Sequence, residues 1–367
     1  MGRRQRLILD FARPEDGPDI LQILEESDYQ GRISLVYTRR PDPLASFALE
    51  GETVDVIVSR DPEAGCIASI GACAARDVYL NGEPARIGYF FALRTRKAYR
   101  GRYPLFHKGY DILRRQREAR NIQFHISTVL EENRAARMMF AKRRAFMPHY
   151  DPVGTYTVHT IVTRRRAALP KGMRLRQAHA EDLGMIVAFL AEHGSRWQFF
   201  PVVRESDILE RRFGVGLEDF RILEQEGRPV AIGAVWDQRD QKQYIVRGYG
   251  GMLRYYAPLS RVLPRFRTPA LPPPGSTLQF FTLGFWATRG GEPELFGHLL
   301  DAVAVREGDY PCFAVGVPDG HPFSAVAKRR SRIRYRSIIY LVTWDETREA
   351  ARRLDATRHP YLECGML

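Results

Sequence analysis

The fold of this chain is decided by residues 85–129, which read ARIGYFFALRTRKAYRGRYPLFHKGYDILRRQREARNIQFHISTV. Residues 85–93 are rich in aromatic and apolar side chains, as a buried strand is, and a basic turn follows at residues 94–104. Residues 105–119 then place apolar side chains at helical spacing, and residues 122–129 have the character of a second strand. The stretch therefore predicts a strand, a basic loop, a helix and a strand, in that order.

The start of this helix is a candidate anion-binding site. Between residues 94 and 120 the chain has ten Arg or Lys residues and only two carboxylates. The free amide groups and the dipole of a helix's first turn attract anions. Arg96, Arg100 and Arg102 could each bind phosphate oxygens, and Pro104 suits the first helical position. On the residues alone, a solvated basic loop that opens an ordinary helix is the alternative.

Outside this stretch, the sequence contains two copies of one plan. Residues 7–24 and 173–190 match at a constant offset of 166, and the matching pairs are Ala12 and Ala178, Glu15 and Glu181, Asp16 and Asp182, Ile20 and Ile186, and Leu24 and Leu190. Each copy predicts a short strand, a turn and an amphipathic helix. We expect the acidic pairs to initiate these helices rather than to catalyse a reaction, because carboxylates near a helix start cap it or complement its dipole.

The order of these elements resembles the GNAT superfamily of acyl-CoA-dependent N-acetyltransferases. In that family a strand leads into an Arg/Gln-x-x-Gly-x-Gly/Ala loop, whose backbone amides hold the coenzyme A pyrophosphate. Arg100 and Gly101 match that loop, and Tyr103 and Leu105 stand at its next two small positions. Downstream, residues 128–140 (TVLEENRAARMMF) resemble the family's strand followed by an Asn-x-x-Ala helix. The resemblance covers residues 5–165 well and extends to the second half mainly through the repeat.

The resemblance implies an N-acetyltransferase that moves the acetyl group of acetyl-CoA directly to a primary amine. The backbone of Leu93 and Thr95 would pair with the pantetheine amides, in a gap where the first strand separates from its parallel neighbour. A backbone N–H in that gap would stabilise the oxyanion. The implied cofactor-binding residues are Leu93, Thr95, Arg100, Gly101, Arg102, Tyr103, Leu105, Asn133 and Phe140.

The acid and the base of the reaction stay open on the sequence. Family members often carry a Tyr near the thiolate, seven residues after the Asn, and this chain has Phe140 there. A phenyl ring cannot donate a proton, so Tyr150 and Tyr89 are the candidate acids. His125 and Glu132 are the candidate bases. Each has a structural alternative: a strand residue for His125, a helix-start carboxylate for Glu132, and the core for Tyr89.

We therefore expect an α/β (α+β) protein with two tandem GNAT-like domains, each a mixed, splayed β-sheet flanked by helices. Residues 1–165 form the coenzyme A-binding and catalytic domain, 166–172 a linker, 173–345 a degenerate second domain and 346–367 a C-terminal tail. The second domain keeps two glycines in its loop but adds Glu292 and Glu294, which compete with a diphosphate. It is expected to shape the acceptor site or pack against the first domain. The Pro-rich stretch 258–274 is predicted as a long loop within it.

Length, charge and cysteine content argue against a membrane-spanning protein, a disulfide framework and a zinc site. The chain has 367 residues, a net charge of +13 and no apolar run of the ~20 residues that cross a bilayer, so we expect no membrane partner and a cytoplasmic location. Four scattered cysteines predict neither a disulfide framework nor a zinc site, and no metal is expected. The acceptor is a small-molecule or peptide amine. A non-catalytic acyl-CoA sensor is the alternative, and a basic nucleic-acid-binding protein ranks lowest because no reader motif is present.

Overall fold

The computed structural model describes residues 7–26, 28–29, 33–101, 104–142, 144, 147–163, 169–262 and 270–367. Its strands are β1 (Ile8–Phe11), β2 (Asp28–Tyr29), β3 (Ile33–Thr38), β4 (Thr53–Asp61), β5 (Cys66–Leu80), β6 (Glu83–Thr95), β7 (His125–Leu130), β8 (His149–Val162), β9 (Met173–Gln177), β10 (Phe220–Gln225), β11 (Arg228–Trp236), β12 (Gln243–Tyr249), β13 (Phe281–Thr288), β14 (Cys312–Pro318) and β15 (Ser331–Thr343). Its helices are α1 (Gly17–Glu25), α2 (Pro43–Ala48), α3 (Pro104–Ala119), α4 (Arg134–Ala141), α5 (Leu183–Gly194), α6 (Glu205–Leu209), α7 (Leu253–Val262), α8 (Pro293–Arg306), α9 (Pro322–Arg330) and α10 (Arg348–Arg352).

Twelve of the described strands form one mixed sheet, in the order β1-β4-β5-β6-β7-β15-β8-β14-β13-β11-β10-β9. Its neighbours are antiparallel except for two parallel pairs, β6 with β7 and β13 with β14. The remaining strands, β2, β3 and β12, form a small second sheet that joins the two halves of the chain. The predicted strand, loop, helix and strand are confirmed as β6, the turn after it, α3 and β7.

The repeat is visible at the start of each half. In the first, Asp16 accepts a hydrogen bond from the backbone of Arg13 (2.6 Å) and pairs with Arg60. In the second, Asp182 accepts from the backbone of His179 (2.8 Å) and pairs with Arg176. Each Asp satisfies a backbone donor just before its helix, so the predicted role in helix initiation is confirmed for Asp16 and Asp182 and stays a prediction for Glu15 and Glu181.

The last strands of the two halves are exchanged. β15, from the second half, pairs with β7 of the first, and β8, from the first half, pairs with β14 of the second. β8 and β15 also pair with each other across the centre of the sheet. The sequence led us to expect each half to close its own sheet. Because the strands cross over, the two halves share one continuous sheet.

Two segments differ from their predictions. The stretch 258–274 was predicted as a loop, but its first five residues are helical. They form the end of α7, which contains Pro258 in its interior. The segment predicted as a tail at 346–367 begins with α10 and then turns inward, so that Tyr361, Leu362 and Met366 are buried. Within the described ranges, no helix has the length and apolar character needed to span a membrane.

Candidate functional site

A gap opens in the sheet between β6 and β7. The two strands pair in parallel only where Gly88–Phe90 face His125–Ser127. Beyond that point β6 runs on to Thr95, held on its other side by β5, while β7 runs on to Leu130, held by β15. No strand among the described residues lies between them, so the β6 edge around Leu93 and Thr95 borders the gap.

A β-bulge lies in β6 at the mouth of this gap. The pairing register with β5 shifts between Ile70 and Ala72, so that the two residues Ala92 and Leu93 oppose one. Ala92 has a left-handed backbone with φ +52°. A bulge leaves one residue outside the ladder, which makes its N–H available to another acceptor.

The second half carries the same bulge at the equivalent place. The register of β13 with β11 shifts between Ile232 and Ala234, and Phe285 has φ +46°. The backbone N–H of Phe285 donates a hydrogen bond of 2.6 Å to a carboxylate oxygen of Glu363. The bulge of this repeat therefore holds a carboxyl oxygen in the copy where the chain supplies one.

The C-terminal segment fills the second gap. β13 and β14 pair only at Phe281 and Thr282 before they separate. The ring of Tyr361 lies 5.3 Å from that of Trp286, and Tyr361 donates a hydrogen bond to Glu363. Gly365 packs so closely on an indole of the second half that an added Cβ would lie 2.2 Å from it. The chain's own residues thus occupy the second gap.

In the loop between β6 and α3, one arginine forms ion pairs within the chain and another is exposed. Arg96 forms ion pairs with Asp19 (2.8 Å) and Glu26 (3.2 Å) and is largely buried, so the expectation that it binds phosphate is wrong. Arg100 is exposed, and Gly101 has φ +87° with open space where a Cβ would stand. Arg102 and Tyr103 lie outside the described residues. Leu105 is described only as part of the first turn of α3.

Asn133 and Glu132 lie beyond the end of β7, where the gap is widest. Asn133 caps α4: its side-chain oxygen accepts a hydrogen bond of 3.1 Å from the backbone of Ala136. An Asn side chain also has two amide hydrogens, which this cap does not use. Glu132 is exposed next to it.

Phe140 and Tyr150 form a stacked pair against α3. Their ring centroids are 3.9 Å apart and the planes are nearly parallel, at 3°. The hydroxyl of Tyr150 lies 2.8 Å from that of Tyr110. Burial raises the pKa of Tyr150 well above its ordinary value and that of Tyr110 to about 12. Both phenols are therefore protonated at neutral pH, next to the position where the family carries its acid.

Two of the predicted acid and base residues are core residues. His125 is fully buried, stacks on Phe90 at 4.3 Å, and neither of its ring nitrogens has a hydrogen-bond partner among the described residues. Burial lowers the pKa of His125 to about 3. Tyr89 is also buried, with its hydroxyl 2.9 Å from that of Thr128. Since neither side chain reaches the surface of the gap, we do not carry them forward as base or acid.

A buried charge cluster that sequence analysis did not predict lies behind Tyr89. Glu50 lies 2.5 Å from Arg39, 3.2 Å from Arg76 and 2.7 Å from Lys242, and all four side chains are buried. Burial alone would raise the pKa of Glu50, but the charges of Lys242, Arg39 and Arg76 lower it to about 2. Arg76 and Lys242 also donate to backbone carbonyls of the C-terminal segment. The cluster thus ties that segment to both halves of the chain.

No protein-family model and no curated protein matches this chain. Among solved structures, Saccharomyces cerevisiae N-myristoyltransferase with bound myristoyl-CoA is 13% identical, with a TM-score of 0.57 over 93% of this chain and 84% of that one. A second such structure is 12% identical, with a TM-score of 0.57 over 94% and 80%. The predicted tandem fold is confirmed: the chain has the fold of the N-myristoyltransferases, which belong to the GNAT superfamily of acyl-CoA N-acyltransferases.

Proposed function

We propose that this chain is an acyl-CoA-dependent N-acyltransferase that moves an acetyl group from acetyl-CoA directly to a primary amine. The observation that carries the proposal is the gap between β6 and β7 with a bulge at Ala92, together with its copy at Phe285, which holds a carboxylate oxygen. The N–H of Ala92 would hold the thioester oxygen in the same way. An N–H that is fixed before the reaction stabilises the charge that develops there.

The proposed thioester site uses the first half of the chain, residues 1–165. The backbone of Leu93 and Thr95 would pair with the pantetheine arm, and the unused amide hydrogens of Asn133 would bind it from the other side. The diphosphate would lie at the start of α3, held by Arg100, Gly101, Arg102, Tyr103 and Leu105. The open space at Gly101 and its left-handed backbone suit a close approach of phosphate to the chain. Phe140 would pack against the thiol end.

The reaction requires two proton transfers. The amine nitrogen attacks the thioester carbon, the carbon–sulfur bond breaks, and the amine gives a proton to a base. The exposed carboxylate of Glu132 is our candidate base, directly or through water. The departing thiolate takes a proton from Tyr150, whose ring stacks on Phe140 and whose hydroxyl lies 2.8 Å from that of Tyr110. Tyr150 then regains a proton from solvent, and the base releases its proton to solvent.

The packing next to the gap supports a short acyl group. On one face, Phe90 stacks on His125. On the other, Phe91 stacks on Tyr89 at 5.8 Å and meets Phe47 edge-on at 5.3 Å. Large rings thus fill the interior on both sides of the point where the strands separate. The solved structures that share this fold contain myristoyl-CoA, so the acyl length needs a direct test.

We propose further that residues 173–345 do not bind coenzyme A, since Tyr361 and Glu363 occupy their gap. This half would form part of the acceptor site or support the first half. A reducing compartment, the cytoplasm, fits the cysteines, all of which lie in the described part of the chain as free thiols. Within the described residues, no group of three or more His, Cys, Asp or Glu side chains is placed to hold a metal.

Titration of coenzyme A followed by turnover assays tests the proposal. Calorimetry should give one site per chain, and Arg100→Ala should weaken binding while the exposed control Arg353→Ala should not. Turnover is followed by thiol release and product mass, with acetyl-, butyryl-, octanoyl- and myristoyl-CoA against small amines, amino acids and peptides. Two equivalent sites would contradict the occupied second gap. A preference for myristoyl-CoA would contradict the acetyl assignment, and binding without turnover on any amine would favour a sensor.

A further inference from the structure

Helix α7 and Met252, the residue just before it, expose a stripe of large apolar side chains. Met252, Tyr255, Tyr256 and Leu259 follow each other at the three- and four-residue spacing of one helix face. They are 87%, 66%, 40% and 52% exposed. Single exposed apolar residues are ordinary, but a contiguous set marks a surface that binds something.

The exposure of the side chains of α7 is the reverse of that in an ordinary surface helix. Among its described side chains the buried ones are Ala257 and Ser260, which are small, whereas the larger Tyr255, Tyr256 and Leu259 are exposed. The hydroxyl of Ser260 accepts a hydrogen bond of 3.0 Å from the backbone of Leu271 and donates one of 2.8 Å to Ala257. A surface helix normally turns its large apolar side chains toward the core. Here Ser260 anchors the small face, and large apolar side chains lie at the surface of the other face.

The charge around the stripe is entirely positive along the chain. Residues 243–288 contain five Arg and not one Lys, Asp or Glu. Arg254 lies within α7, is exposed, and covers the ring of Tyr255 at 4.5 Å. An apolar stripe bordered by basic residues, without acidic ones, fits a partner that has anionic groups at its surface and an apolar layer directly below them. A second copy fits poorly, because the same basic segment would face itself.

We propose that α7 is a peripheral docking surface for an anionic lipid membrane. Met252, Tyr255 and Leu259 would enter the boundary between headgroups and acyl chains, and Arg254 would pair with lipid phosphates. This replaces the expectation of no membrane partner, which rested on the lack of a spanning segment. Since α7 packs against strand β12 of the small second sheet, the membrane would lie on the side of that sheet.

Vesicle flotation of the full chain tests the proposal. The chain should float with vesicles of phosphatidylcholine mixed with phosphatidylglycerol, should not float with phosphatidylcholine alone, and should be released by salt. Tyr255→Ser combined with Leu259→Ser should lower the partition coefficient at least about tenfold, since two apolar side chains lose their burial. Arg254→Glu should lower it at least about fivefold.

Two matched controls separate the stripe from general effects. Leu209→Ser removes an exposed leucine from α6, and Arg353→Glu makes the same change of net charge at another exposed site. Both should bind vesicles as the unchanged chain does, and thiol release without vesicles should be unaltered in every variant. If the chain does not bind anionic vesicles, or if Arg353→Glu weakens binding as much as Arg254→Glu, the proposal is wrong. It is also wrong if the stripe variants only dissociate an oligomer or only lower the melting temperature, because the stripe then contacts protein.

Discussion

Replacement of Glu50 by Gln should destabilise the chain more than almost any other single polar change. Among the described residues, Glu50 is the carboxylate that forms ion pairs with Arg39, Arg76 and Lys242 in that buried cluster. Gln keeps the size and some of the hydrogen bonds but removes the charge. Three buried cations would then be left without their counter-ion, and buried charges are costly unless they are paired.

Two independent arguments give the size of the loss in the free energy of unfolding. Removing one partner of a buried ion pair costs about 3–5 kcal/mol. The pKa of Glu50 is lowered from 4.5 to about 2, and that difference corresponds to roughly 3 kcal/mol. Because the pKa in the folded state is the lower one, this stability is present above pH 4.5 and is lost as the pH falls toward 2. For a chain of 367 residues, the same loss would lower the melting temperature by about 5 °C.

Denaturant unfolding followed by tryptophan fluorescence measures the effect. The control is Glu349→Gln, which removes an exposed carboxylate 3.6 Å from Arg353 and should cost less than about 0.5 kcal/mol. Lys242→Met in the Glu50→Gln background should recover part of the loss, because one uncompensated cation is removed. A change below about 1 kcal/mol for Glu50→Gln, or no recovery in the double variant, would refute the reasoning.

Three further outcomes are expected. Asn133→Ala should lose about 1 kcal/mol of helix capping and raise the KM for acetyl-CoA, whereas Asn133→Asp should keep the cap and still raise the KM; an unchanged KM in the Asp variant would leave only a capping role. Tyr150→Phe should lower kcat about 10²-fold with little change in coenzyme A affinity, and an unaltered kcat would remove it as the acid. The pKa of His125 is lowered by burial to about 3, so stability should fall by about 2 kcal/mol between pH 7 and pH 5 through this group. His125→Leu should flatten that fall, and an unchanged slope would contradict the assignment.

The parts of the fold that the sequence predicted are those coded locally. Periodicity and a basic turn identified β6, α3 and β7, and the repeated Asp16 and Asp182 identified the two helix starts. The exchange of β8 and β15 was not predictable, because both strands are rich in β-branched and aromatic residues and either antiparallel partner satisfies that pattern. The path of the C-terminal segment depends on close approaches such as that of Gly365, which no spacing encodes.

The candidate site divides in the same way. Asn133 and the loop at Arg100 were recognisable from their motif, whereas the roles of Arg96 and His125 depended on distant partners and on burial. The cluster around Glu50 draws residues from positions 39, 50, 76 and 242, and their separation along the chain hid it. The bulge at Ala92 has no sequence signal, since its left-handed backbone is imposed by pairing with β5.

A crystal structure of the chain with a non-hydrolysable acetyl-CoA analogue would show whether the first gap binds the thioester. We expect one molecule per chain, with its pantetheine arm between β6 and β7, its carbonyl oxygen within hydrogen-bond distance of the Ala92 nitrogen, and its diphosphate at the start of α3. A molecule bound in the second half, or a first gap that stays closed with the analogue elsewhere, would contradict this expectation.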